Sequence, residues 1–394
     1  MKFEQSERGL IGVEWELQMI DQDTGDLRQS ADAVMDIVES LGDVPNIHRE
    51  MLLNTIEITS KPRRLASECL DDLLENIAII EPVTTPMRID LATAGTHPFA
   101  TPAYQRVTDT GRYNDLVERT QYWGRQMQLY GVHVHIGIED AAKVLPILNA
   151  LLTRFAHLQA LSSSSPYWAG EDTGYASNRA MYFQQLPTAG IPRQFEQWDD
   201  LERYVEDVTR TGIISDFSEI RWDIRPSPKL GTIEIRVFDA ATNIREVGVL
   251  VALTATLVEY YSRMYDRGEE LPRIPDWYVA ENKWRASRYG MEANLIVDEA
   301  GNQEDVTTTL RNMLPELLPI AEEIGCRDEL EHIHEIMRKG AAYQRLTIAA
   351  ARHKDGPRAM VELMQAEFKA GHPIDPLTFL ASKPNELKKE VRRQ

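Results

Sequence analysis

The chain has 394 residues, with 43 Lys+Arg against 62 Asp+Glu and a formal net charge of −19. That balance speaks against a general nucleic-acid binder, which needs a basic face for phosphates, and against adsorption to anionic membranes. Hydrophobic residues at 43% and charged residues at 27% are ordinary for a globular protein, and the length is ample to bury a core without disulfides.

Two cysteines, Cys69 and Cys326, cannot build a disulfide framework or a cysteine-rich zinc site. The stretch from Met1 to Arg8 reads as too acidic and polar for a signal peptide, and the apolar-rich run from Val247 to Val258 is too short to span a bilayer. A soluble cytoplasmic protein is expected. No repeat, low-complexity block or linker divides the chain. One catalytic domain over 1–394 is therefore expected, with 1–245 carrying the active-site strands and 246–394 mostly helical.

In chain order, period-2 patterning predicts strands at Leu10–Ile20, Leu52–Ser60, Arg88–Ala94, Gly131–Ile138, Glu219–Arg225 and Thr232–Asp239. Period-3.6 patterning predicts helices at Ala31–Leu41, Ala66–Ile80, Asn114–Tyr130, Ala141–Leu161, Leu201–Thr211 and Glu246–Arg267, and more or less everything from Asp305 onward. The chain ends in a basic tail, Lys388 to Arg393, read as a solvated helix end. Strands and helices do not alternate regularly. The fold class is therefore read as α+β, a mostly antiparallel sheet with helices packed on one face.

What the strands carry is the informative feature. Alternation puts Val13, Trp15 and Leu17 on one face and Glu14, Glu16 and Gln18 on the other. The same split sets Ile56 and Ile58 against Glu57, three apolar residues against His133 and His135, and Ile233, Ile235 and Val237 against Glu234 and Arg236. Arg221, Asp223 and Arg225 are expected to share a face. For any one such strand the plainer reading is a sheet with one solvated face. Together the five carry no lysine on the polar face, and their apolar residues are large and β-branched. His133 and His135 also sit between Gly131 and Gly137, where backbone or ligand can approach closely. Clustered carboxylates repel one another unless cations lie among them.

Oxygen donors in excess, with one or two imidazoles, suit Mg²⁺ or Mn²⁺. An arginine two residues from a carboxylate on one strand face can clamp a transferring phosphoryl group. The chain has no Walker loop and no Gly-x-Gly-x-x-Gly, so a nucleotide would be held mainly through metals.

At these residues the chain resembles the glutamate–cysteine ligase type 2 family, the carboxylate–amine ligases of the glutamine-synthetase-like superfamily. The resemblance rests on Gly12-Val13-Glu14-Trp15-Glu16, on Glu50 through Ile58, and on Gly131-Val132-His133-Val134-His135-Ile136-Gly137. It continues through Ser165-Pro166-Tyr167-Trp168, Gly174 to Arg179, Asp223-Ile224-Arg225-Pro226-Ser227 and Gly231 to Arg236. Each stretch is weak alone; their order and joint presence are specific.

The resemblance implies a curved antiparallel sheet forming a funnel with Mg²⁺ at its waist. ATP enters at one end and the amino acids at the other. It implies that Glu14, Glu16, Glu50, Glu57, His133 and Glu234 hold metal, and that Arg236 neutralises the transferring phosphate, with turnover depending on Arg236, Glu57 and Glu234. His135 is expected beside the nucleotide or behind a ligand. Arg179 and Arg225 are expected to bind phosphate or the substrate carboxylate, and Arg112 to lie near the substrate. Asp223 is expected to orient Arg225 or Arg221. The implied reaction joins glutamate to an amine, in the first place cysteine, through an acyl phosphate, and a homodimer is the expected assembly.

A metal-dependent hydrolase on the same acids, and a binding protein that has lost turnover, are the alternatives. The arginines of Ile220–Val237 and the filled acidic positions favour the ligase. His332 and His334, two apart on a helix, face different ways and are not read as ligands. Ser162–Ser165 reads as a loop or helix end rather than a nucleophile, and Cys69 as core.

Overall fold

Alternation decides the sheet. Along Ile11–Asp21 (β1) the residues Val13, Trp15, Leu17 and Met19 are buried in the core, and Glu14 and Glu16 point the other way. The computed structural model of the protein describes residues 1–382, apart from the Arg112 side chain. The basic tail falls outside the described residues.

After β1 come Ile47–Arg49 (β2), Thr55–Thr59 (β3), Ile89–Ala92 (β4), Gly131–Gly137 (β5), a two-residue ribbon of Tyr167–Trp168 (β6) and Glu171–Asp172 (β7), Ile224–Ser227 (β8) and Thr232–Asp239 (β9). One open sheet runs in the order β2-β3-β1-β5-β9-β8, with β4 beside the second half of β1, and every pairing is antiparallel. The α+β antiparallel architecture read from the sequence is thus observed.

Register does the rest. It sets Glu16 opposite Glu57, Glu14 opposite His133, His135 opposite Glu234, and Glu234 opposite Arg225. Residues from five strands therefore form one continuous polar row.

Helices cover the apolar face. Ala66–Thr84 lies on β1 and β3, Phe155–Ser162 on β9, and Ile244–Asp266 on β5. The Trp15 side chain is 1% exposed and lies 5.4 Å from the Phe368 ring, so Trp15→Ala would cost about 3–5 kcal/mol. The largest of three hydrophobic clusters among the described residues runs from Ile11 to Tyr343. Among the described residues no single helix is long and apolar enough to cross a membrane.

Several expectations need correction. The strand predicted at Glu219–Arg225 begins only at Ile224. Residues Phe217–Glu219 form a 3-10 turn closed by Asp216 and Glu219 in a reciprocal cap, so Arg221 precedes the strand and shares no strand face with Arg225. The helix predicted at Asn114–Tyr130 is Gly111–Thr120, ended by Gln121 in a left-handed conformation, φ 49°. Arg112 therefore lies inside its first turn. The helix predicted at Ala141–Leu161 breaks into Ala141–Leu151 and Phe155–Ser162 at an angle of 64°. The strand predicted at Leu52–Ser60 shrinks to Thr55–Thr59. A long helix not anticipated from the sequence, Asp276–Tyr289, packs beside Phe155–Ser162.

Candidate functional site

The polar row lines a cavity of about 370 Å³. Glu14, Glu16, Glu50, Glu57, His133, His135, Arg179, Arg225, Glu234 and Arg236 all face it. Of the residues singled out from the sequence as site residues, only Arg112 is not placed, because its side chain is outside the described part; its neighbour Tyr113 lines the wall.

At the centre Glu14 bridges two imidazoles. One carboxylate oxygen meets His133 Nδ1 at 2.7 Å, and the other lies 3.3 Å from His135 Nε2. That second contact lacks hydrogen-bond alignment, so the buried His135 Nε2 has Glu14 beside it as an ion-pair neighbour but no hydrogen bond. The other His135 nitrogen meets Thr232 Oγ1 at 2.9 Å, which fixes the ring. Thr232 shares a face with Glu234 and Arg236, so the period of β9 already carried that signal.

On the β3 side, Glu16 accepts from the Gly131 N–H at 2.5 Å, and Glu50 accepts from the Tyr113 hydroxyl at 3.3 Å. On the β8 side Glu234 is gripped by two guanidinia: Arg225 at 2.6 and 3.3 Å, and Arg236 in a second, shorter contact. Arg179 enters from Asn178–Phe183, a helix capped by Ser177, and reaches the Arg236 carbonyl at 3.4 Å. Gly131 permits this approach, since a β-carbon there would collide with the Arg179 guanidinium. The loop before Arg179 is tied down by Asp239, which accepts from Ser165 Oγ at 2.6 Å and Ser177 Oγ at 2.8 Å. Ser164 and Ser165 thus serve structure, in line with the reading that they are not nucleophiles.

Two corrections follow. Asp223 does not orient Arg225 or Arg221 through its carboxylate, which instead meets Lys283 at 2.6 Å. Arg221, whose shared strand face fails, still lines the cavity from the turn before β8.

The electrostatics divide the acids into two kinds. Burial, then Glu14, Glu50 and Glu16, push Glu57 well above the usual carboxylate range. Burial and Glu50 push Glu16 up to about 8. Burial would raise Glu14 and Glu234 as well, but the imidazoles hold Glu14 well below its ordinary value, and Arg236 and Arg225 do the same for Glu234. Burial, with Arg236 next, lowers His133 to about 4. For His135, burial is outweighed by Glu234 and Glu14, and its pKa rises.

Three overlapping triads present one ligand atom each, all within 4.8 Å of one another: Glu14/Glu57/His133, Glu14/His135/Glu234 and Glu16/Glu50/Glu57. The donor set fits hard divalent cations, because it is oxygen-rich with one imidazole per triad at most. The acids raised by burial and by one another, and the buried His135 Nε2, Arg179 Nε and Arg236 Nε without hydrogen bonds, all face this cavity. His332 and His334 enter no such cluster among the described residues.

The chain is similar to known proteins in sequence and in fold. The family model described as glutamate-cysteine ligase family 2 (GCS2) matches residues 10–363. "Putative glutamate--cysteine ligase 2-1" of Mycobacterium sp. (strain KMS) is 49% identical over 367 residues, covering 93% of this chain and 97% of the relative. "Putative glutamate--cysteine ligase 2" of Mycobacterium tuberculosis (strain ATCC 25177 / H37Ra) is 48% identical over 366 residues, covering 93% and 96%. Among solved structures, the glutamate–cysteine ligase of Francisella tularensis in complex with AMP superposes with a TM-score of 0.62 at 12% identity, covering 98% of this chain and 94% of that one. A bifunctional glutathione synthetase from Pasteurella multocida gives 0.59 at 16% identity, over 91% of this chain and 52% of that one. At such identities the likeness speaks for the fold alone.

Proposed function

The chain belongs to glutamate–cysteine ligase family 2, and on that premise we propose that it is an ATP-dependent carboxylate–amine ligase. It joins the γ-carboxylate of glutamate to an amine, in the first place that of cysteine, with release of ADP and phosphate. The observation that carries the reading is the meeting, in one cavity, of three metal-sized acidic triads with two arginines on Glu234.

A carboxylate is a poor electrophile at neutral pH. A γ-carboxylate oxygen of glutamate attacks the terminal phosphorus of ATP, the bond to the ADP oxygen breaks, and an acyl phosphate forms. The amine nitrogen then attacks the acyl carbon, the carbon–oxygen bond to phosphate breaks, and the amine gives up a proton. Glu14, Glu16, Glu50, Glu57, His133 and Glu234 would hold Mg²⁺ or Mn²⁺. When bound, such cations neutralise phosphate oxygens and polarise the phosphoryl group.

The chain's own residues do the rest. Glu234 aims Arg236 and Arg225 along one edge of the cavity, where a planar guanidinium matches two phosphoryl oxygens at once. Arg179, with its Nε unpartnered, faces the same space and suits a phosphate or the substrate carboxylate. Thr232 holds the His135 ring so that Nε2 points into the cavity. Arg112, one residue before the wall residue Tyr113, suits the substrate side. Both cysteines are buried free thiols, which suits a cytoplasmic setting.

The test is Mg²⁺-dependent ADP release from ATP, alone and with glutamate plus a panel of amines that includes cysteine. Release stimulated by glutamate and an amine together is expected. Release indifferent to every amine would favour hydrolysis on the same acids and remove the ligase reading.

A further inference from the structure

The helix Asp276–Tyr289 lies beyond the strand region to which the sequence points for the chemistry, yet it touches the site's supports at two places. Its Ser287 carbonyl accepts from the N–H groups of Ala176 (2.8 Å) and Ser177 (3.0 Å), which lead into the helix that carries Arg179. One turn earlier, the Lys283 ammonium meets the Asp223 carboxylate at 2.6 Å, with the two side chains 3% and 4% exposed.

Asp223 is a joint. Its backbone N–H donates to the Gly190 carbonyl at 2.7 Å, and its own carbonyl accepts from the Arg236 N–H at 2.8 Å. Arg225 stands two residues further on. The lysine therefore anchors, through one side chain, the backbone from which both Arg225 and Arg236 reach Glu234. Gly190 has φ +102°, a conformation that disfavours any side chain, and the Lys283 ammonium is among the nearest groups to where its β-carbon would be.

A buried ion pair is expensive to desolvate, and an apolar pair of similar size would often hold a fold as well. What the ion pair adds is direction, because a charge-assisted hydrogen bond fixes where the carboxylate points and with it the chain on either side.

We propose that Lys283 is a positioning residue of this site: through Asp223 it fixes the strand entry that places Arg225 and Arg236 around Glu234. The nature of the group those arginines meet rests on the ligase reading above. The placement of Glu234 does not.

The test uses the full chain. Lys283→Met alone strands a buried carboxylate and is expected to fold poorly, so the deciding variant is Lys283→Met/Asp223→Asn, which removes both charges together. Three quantities are read: the thermal midpoint, kcat and KM for glutamate-dependent ADP release, and Mn²⁺ affinity by electron paramagnetic resonance. The expected result is a folded double variant with a kcat at least tenfold lower, a glutamate KM within threefold of the starting protein, and Mn²⁺ bound severalfold more weakly. A folded double variant with unchanged kcat and unchanged Mn²⁺ affinity would overturn the proposal. If the unsubstituted protein releases no ADP with any amine, the ligase reading fails. Mn²⁺ affinity then decides alone: weakened binding supports the positioning role, and unchanged binding overturns it.

Discussion

Two buried clusters of charge lie on opposite sides of the sheet, and they are built on opposite principles. On the helical side, Arg345 is fully buried between Glu246 and Glu367. It donates to Glu367 at 2.7 and 2.8 Å and to Glu246 at 2.8 and 2.9 Å. Asn243 Nδ2 donates to Glu246 at 2.7 Å, and the Ile374 N–H to Glu367 at 2.9 Å. The guanidinium pKa is raised further: burial would lower it, but Glu246 and Glu367 outweigh burial. Every charge there is answered from within. On the cavity side, Glu16 and Glu57 face each other across two strands and are raised by burial and by neighbouring acids. A closed cluster is a structural knot, whereas an open one is a site waiting for a counter-charge.

The sharpest way to break that contrast is to remove one acid from the open cluster. Glu57→Gln is expected to lower ADP release by about 10³-fold, the upper end for loss of one preorganised electrostatic group. It should at the same time raise the thermal midpoint of the metal-free protein, because it removes an acid whose ionisation burial and the neighbouring carboxylates oppose. Glu234→Gln should lose as much rate but lower the midpoint, since Arg225 and Arg236 would be left buried without their carboxylate. Equal midpoint changes in the two variants would erase the distinction between the two kinds of acid.

Arg345→Met probes the closed cluster. It strands two buried carboxylates and should cost about 3–5 kcal/mol of stability, read by denaturant unfolding. The rate per folded molecule should not change; a lower rate in fully folded protein would tie this cluster to the site. Arg236→Lys is smaller still. The charge survives and the planar fork is lost, so kcat should fall by about 100-fold with stability little altered. A full rate in the lysine variant would mean that a point charge is enough.

The difference between the clusters also explains what could be read from the sequence. The open cluster sits on strands of period 2. Once Val13, Trp15 and Leu17 are assigned inward, Glu14 and Glu16 must face the other way, and the same holds for Glu57, His133, His135, Glu234 and Arg236. Residues outside that period were harder to read. Arg221 sits in a turn that a reciprocal cap takes out of the strand. Lys283 and Arg345 lie on helices whose period marks them only as polar residues on a mostly buried face. Their partners, 60 and 99 residues away along the chain for Asp223 and Glu246, are set by packing alone. The corrected helix Gly111–Thr120 fails for a similar reason: nothing local in Thr120-Gln121 announces the left-handed residue that ends it.

The smallest effect is the most specific to the open cluster, and it is a slope with pH. Glu16 is pushed up to about 8 in the folded protein from an ordinary 4.5, and Glu57 is raised too. Between those two values the folded state keeps a proton that the unfolded state has lost, so stability falls as pH rises through the window. Buried histidines oppose this at the acid end: burial lowers His97 and His157 to about 3 and His133 to about 4, so each adds stability as pH rises toward 6.5. Above 6.5 they are neutral in both states, while His135, raised by Glu234 and Glu14 against burial, acts in the same sense as Glu16. The clean interval is therefore about pH 6.5 to 8. There Glu16 alone should cost the metal-free protein about 1–2 kcal/mol, and Glu16→Gln should remove that share of the slope. Saturating Mg²⁺ should flatten it in the unsubstituted protein, since a cation then takes the place of the proton. The Arg345 guanidinium contributes nothing in this interval, because Glu246 and Glu367, outweighing burial, hold its pKa above an ordinary value that is already far above this range. A midpoint that stays level or rises between pH 6.5 and 8 in chelator-treated protein would mean that the acids of β1 and β3 are not repelled from one another, and the open cluster would have to be regarded as closed.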